Sequence, residues 1–234
     1  MTTTHPIYRT LAALALLLTI VLTGASILLM PAFDGGTEQQ LEAIATAGAT
    51  AAVSATMFTV AQLPMGIGLL AVAHLVGRRS PVLAAIGGTL AVLGCFGHAV
   101  HGGLSNVMLA MAAGDAQLLV EHAAVVDAAY AASHGPFMIA GLLGTVLGVV
   151  VLAIGLLRSR VAAVWVPCAL LAWVLVEFLG SGLVEWAQYA SLVLFSAALV
   201  GLAIAVWRSD PLEWVSAARR PEVAPAQEQA VAPS

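Results

Sequence analysis

All eight basic residues of this chain are arginines, and their positions alternate with long apolar segments. Arg9 precedes the first such segment, Arg78 and Arg79 fill the short gap after the second, and Arg158 and Arg160 follow the fourth. Arg208, Arg219 and Arg220 come after the last. The long gaps between these positions carry acids alone, among them Asp34, Glu38, Glu42, Asp115, Glu121 and Asp127. In a bilayer-spanning chain, short arginine-bearing loops stay on the cytoplasmic side, so this pattern assigns both termini to the cytoplasm.

The segments themselves call for a bilayer. With 61% hydrophobic residues, 9% charged residues and a mean hydropathy of +1.01, the composition excludes an ordinary soluble domain. Stretches 10–30, 52–76, 81–101, 136–157, 161–179 and 186–206 are each long and apolar enough to cross the hydrocarbon layer. Inside lipid every backbone polar group must bond within its own segment, so each stretch is read as a helix. The expected fold is all-α: a polytopic integral membrane bundle of six transmembrane helices with short extracytoplasmic amphipathic helices. Residues 1–208 form this domain. Residues 209–234, rich in proline, alanine and glutamine toward the end, form a cytoplasmic and mostly disordered tail.

The first segment is long and lacks a small-residue cleavage pattern, so it reads as a span and not a cleaved signal peptide. Trp165 and Trp207 near inner ends and Trp186 near an outer end fit the aromatic belts of a bilayer. Within 102–135, apolar residues such as Met108, Leu119 and Val126 mix with Asn106, Glu121, His122 and Asp127. That mixture predicts an outward extension of the third span, a break at Gly114-Asp115 and an amphipathic surface helix. Residues 38–53 predict a similar helix leading into the second span, and together the two suggest an external lid. Ser80-Pro81 and Gly135-Pro136 mark helix starts, while Pro64 and Pro167 predict bends in the second and fifth spans.

Gly141, Gly144 and Gly148 recur along the fourth span. Small residues at this spacing let another backbone approach, and the glycine-rich third span is the expected neighbour. The same kind of face also serves a homo-oligomer or another membrane protein. No Walker or dinucleotide pattern accompanies these glycines, and no basic run fits a nucleic acid, which leaves membrane lipid as the general partner.

Polar side chains at membrane depth are the strongest pointers to a site. At about 1.5 Å per residue from the inner ends, Gln62 lies about 22 Å up its span, His98 and Tyr189 about 25 Å, and Glu177 about 24 Å. Four spans thus bring a polar group to one outer-leaflet layer, and these four residues are the candidate ligand-binding set. His98, His101, His134 and Glu177 carry the chemistry of a divalent-metal site, and His98 with His134 would be the axial pair of a haem. Against both stands ordinary hydrogen bonding between helices. Nothing identifies a catalytic residue: no nucleophile elbow or zinc-protease helix occurs.

The lysine-free composition, rich in alanine, valine, leucine and arginine, resembles that of small multipass proteins of GC-rich bacteria and implies a bacterial inner membrane. Three functions follow from these residues. A structural or accessory membrane component needs only the packing. A small-molecule binding or transport bundle uses the outer polar layer. A haem- or metal-binding redox protein uses the histidines.

Overall fold

The computed structural model describes residues 5–31, 33, 35–180 and 186–214, and all regular structure among them is helical. Asp34, Glu185, Arg219, Arg220 and the tail from 215 lie outside the described residues. In chain order the helices are α1 (His5–Leu29), α2 (Thr37–Ala47), α3 (Ala49–Gly77), α4 (Pro81–Ala112), α5 (Leu119–Ala129), α6 (Gly135–Ser159), α7 (Trp165–Leu175) and α8 (Ala187–Arg208). Single π turns, Tyr130–His134 and Val176–Gly180, join α5 to α6 and extend α7.

Neighbours in the bundle follow chain order: α1 packs on α3, α3 on α4, α4 on α6, α6 on α7 and α7 on α8, and α8 returns to α1. The ring encloses a core that includes Leu16, Val72, Val76, Leu152, Leu156, Leu199 and Leu202. Outside it, apolar side chains remain bare: Leu63 is 71% exposed and Val193 67%. An exterior this apolar is a liability in water and the ordinary condition in hydrocarbon, which identifies the chain as a polytopic membrane protein. Five helical stretches are long and apolar enough to cross; Trp165–Gly180 is a shorter apolar helix.

That shortness has a local cause. Residues 161–164 are spent in a turn, so α7 starts at Trp165 and has 11 residues before its π turn. Pro167 therefore sits in the first helical turn, where its missing N–H removes no intrahelical bond, and it does not bend the span as expected. In α3, by contrast, Pro64 is interior, and the helix continues through it.

The closest helix contact joins α4 and α6. A Cβ on Gly97 would lie 2.4 Å from Gly141 Cα, one on Gly144 2.5 Å from Gly94 N, and one on Gly148 2.5 Å from Ala91 N. These separations leave no room for a side chain at the crossing.

Beyond the bundle, α4 extends to Ala112, and α2 and α5 pack against that extension. Leu41, Ile44, Met108, Ala112, Leu119 and Val126 form a separate small apolar core there. Polar bonds tie the pieces together: Thr37 donates to Asp127 at 2.5 Å, and a ring nitrogen of His122 lies 3.1 Å from the Met111 carbonyl oxygen. The surface helix expected over 38–53 divides at Gly48, whose φ of 53° ends α2 and redirects the chain into α3.

Candidate functional site

His101 lies well inside α4, because the helix runs eleven residues past it to Ala112. Its Nδ1 is 3.1 Å from Nε2 of His134, so one imidazole N–H donates to the other ring, the tautomers deciding which. The π turn Tyr130–His134 makes this possible. Its register is set by the Gly135 N–H, which bonds the carbonyl of Tyr130 five residues back. A Cβ on Gly135 would lie 2.6 Å from that oxygen, so the turn requires glycine there. Pro136 has no N–H to offer the α-register bond that the wider turn forgoes.

Aromatic rings surround the pair. Tyr130 meets His134 edge-on with ring centroids 5.0 Å apart, and Phe58 of α3 meets His101 edge-on at 6.1 Å. Phe58 also touches His98, at 5.9 Å. His98 itself turns away from the pair: its Nδ1 is 2.9 Å from the Gly94 carbonyl oxygen and 3.3 Å from Thr145 Oγ1 on α6.

Next to His101 lies a cavity of about 190 Å³. Phe58, His101 and Tyr130 form one wall, the end of α1 at Met30 and Pro31 another, and Gln40 and Ile44 of α2 a third. Ser54 lines it as well and donates to the Ser26 carbonyl at 2.8 Å, joining α3 to α1. Ser105, one turn beyond His101, donates to the His101 carbonyl at 3.2 Å. The chamber is thus apolar with a few polar groups on its wall, the composition of a small-ligand pocket.

Gln62, His98 and Glu177 of the four-residue polar layer bond to different partners. Gln62 donates to the Phe58 carbonyl of its own helix at 3.0 Å. Glu177, on the second π turn, accepts a hydrogen bond from Ser191 of α8. Tyr189 is exposed at the start of α8. None of the four is among the residues lining the cavity. Of the metal set, His101 and His134 are in direct contact, while His98 and Glu177 bond elsewhere as described. Among the described residues no three His, Cys, Asp or Glu side chains come together as a metal site. Two imidazoles alone fall short of the four ligands of structural zinc or the three of catalytic zinc.

Sequence reasoning passed over Phe58, Tyr130, Ser54 and Gln40. One signal was available: Tyr130 precedes His134 by four residues and Ser105 follows His101 by four, spacings that share a helical face.

The fold and the chamber define a class: a polytopic helical membrane protein with a capped cavity at the acid-bearing end. No family model, curated protein or solved structure matches the chain at a significant level.

Proposed function

We propose that this protein binds a small uncharged molecule in the chamber beside His101, with α2 and α5 as its cap. The observation that carries this reading is the cavity itself, which α2 borders through Gln40 and Ile44 while α5 packs behind α2 in a separate apolar core outside the bundle. A dry cavity of about 150 Å³ is known to hold benzene, so about 190 Å³ suits a single ring with one or two small substituents. Phe58 and Tyr130 offer ring contacts, and His101 and Gln40 offer hydrogen bonds. A porphyrin is too large for this space, which weighs against the haem reading.

The test uses phenol as probe on the tag-free protein in detergent. A saturable rise in melting temperature is expected for the wild type and its loss is expected in Ala55→Phe, which fills the chamber. Absence of any saturable rise would sink the binding reading and leave the accessory role, for which the packed bundle suffices.

We further propose six crossings, with both termini in the cytoplasm of a bacterial inner membrane. Arg9 Nη1, near the start of α1, donates to the Ser209 carbonyl just after α8 at 2.7 Å, and its guanidinium lies 5.7 Å from the Trp207 ring centroid. The start of α1 and the end of α8 at one end of the bundle support an even number of crossings, so the short stretch Trp165–Gly180 counts as a span. Homo-oligomerisation through Gly141, Gly144 and Gly148 finds no support, since that face is occupied by α4.

A further inference from the structure

A second pocket lies at the opposite, arginine-bearing end, between the α6–α7 turn and the end of α8. It measures about 680 Å³. Arg79, Arg160 and Arg208 converge on it from three separate parts of the chain. Arg79 is anchored, its Nη1 donating to the Ser159 carbonyl at 2.5 Å. Arg160 ends α6 with a φ of 55°, the left-handed region that glycine or asparagine occupies at lower cost. Among the described residues no hydrogen bond or ion pair engages the guanidinium of Arg160 or Arg208. Asp210 also lines the pocket and has an interaction of its own, so three guanidiniums face one carboxylate.

The remaining wall is apolar. Val161, Trp165 and Ile204 line it, and both Trp165 and the neighbouring Trp207 are exposed at the level where spans meet headgroups. A free inorganic anion has no use for that surface. A phospholipid does, because its phosphate suits forked guanidinium donors while its glycerol and upper acyl carbons lie on apolar side chains. Basic pockets between transmembrane helices on the cytoplasmic side take anionic headgroups in this way. We propose that this pocket holds the phosphate headgroup of an anionic phospholipid from the leaflet on the arginine side.

The test titrates the full-length protein in detergent with phosphatidylglycerol, phosphatidylcholine or inorganic phosphate, reading bound lipid by native mass spectrometry and stability by melting temperature. Saturable phosphatidylglycerol binding is expected, about tenfold or more tighter than phosphatidylcholine, with no stabilisation by inorganic phosphate. At roughly 1 kcal/mol for each arginine near the surface, the double variant R160Q/R208Q is expected to weaken phosphatidylglycerol binding by about 20-fold or more. Arg158→Gln, an exposed arginine outside the pocket, is the control and is expected to bind nearly as the wild type does. Should the double variant fold poorly, Arg208→Gln alone, on the last turn of α8, is expected to cost about fivefold. Equal binding of the two lipids, or unchanged binding by the arginine variants, would overturn the proposal. Stabilisation by inorganic phosphate equal to that by phosphatidylglycerol would replace the lipid with a free anion and overturn it as well.

Discussion

Glycines do opposite things along this chain, and the surroundings of each decide which. A side chain at Gly144 would collide with the backbone of Gly94 and with the Leu90 carbonyl oxygen, 2.7 Å away. Neither contact is with a flexible side chain that can yield, so the helices must separate. Gly144→Leu is expected to destabilise by about 1–3 kcal/mol, as overpacking generally does, or about 2–4 °C in melting temperature per kcal/mol for a chain of this size. Gly103 is the contrast: nothing lies within 4 Å of its would-be Cβ, and it is interior to α4. Gly103→Ala is expected to stabilise by about 0.5–1 kcal/mol through reduced backbone freedom in the unfolded chain. Thermal melts of the two variants in one detergent check both signs, and a comparable loss in each would refute the α4–α6 contact. Spacing in the sequence marks Gly144 as a residue that permits close approach. It carries no information that Gly103 faces open space, because that depends on how far α4 outruns its neighbours.

At the scale of elements, the sequence reads a helix start at Gly135-Pro136, and the structure places α6 there, but the chain before it stays helical. Gly-Pro is a stop in an α register and not in a π register, where the proline's lost bond is already forgone. No compositional sign distinguishes the two, so the turn that seats His134 against His101 was not legible. The extension of α4 was legible, because 102–112 has no proline and its apolar residues recur at helical spacing. The turn also yields a test. Pro136→Ala restores an N–H that can bond the carbonyl four residues back, favouring the α register and rotating Tyr130 and His134 relative to α6. Helix content and melting temperature are expected to hold within a few degrees, while the phenol-induced shift falls by about threefold or more. A phenol response equal to that of the wild type would show that the chamber does not depend on the π turn. Gly48 is the second hinge, with a φ of 53° and nothing within 4 Å of its would-be Cβ. Gly48→Ala is therefore expected to cost about 1–3 kcal/mol through backbone strain, since a φ of 53° with a ψ of −118° lies outside the regions open to a residue with a Cβ.

For the whole molecule, the question is how many times the chain crosses. Hydropathy places six apolar segments, yet one of them folds as 11 α-helical residues and a five-residue π turn. At about 1.5 Å per residue that stretch reaches about 24 Å, short of a hydrocarbon core of about 30 Å. Length alone would assign five crossings and put the chain ends on opposite sides. Against this stand the contact of Arg9 with Ser209 and that of Arg79 with Ser159, which gather the α1 start, the α3–α4 turn, the α6–α7 turn and the α8 end at one pole. A short span between longer ones needs only local thinning of the bilayer, a cost of fractions of a kcal/mol per Å. Single cysteines introduced into a background lacking Cys95 and Cys168 decide the matter. At Glu42 and Leu118, both exposed on the acid-bearing cap, labelling of intact cells by an impermeant maleimide is expected. At Arg158 and at Ser209, labelling is expected only after the cells are opened. Labelling of Ser209 from outside with Arg158 protected would mean that α7 does not cross, and the closed ring of helices would then have to be abandoned along with the even count.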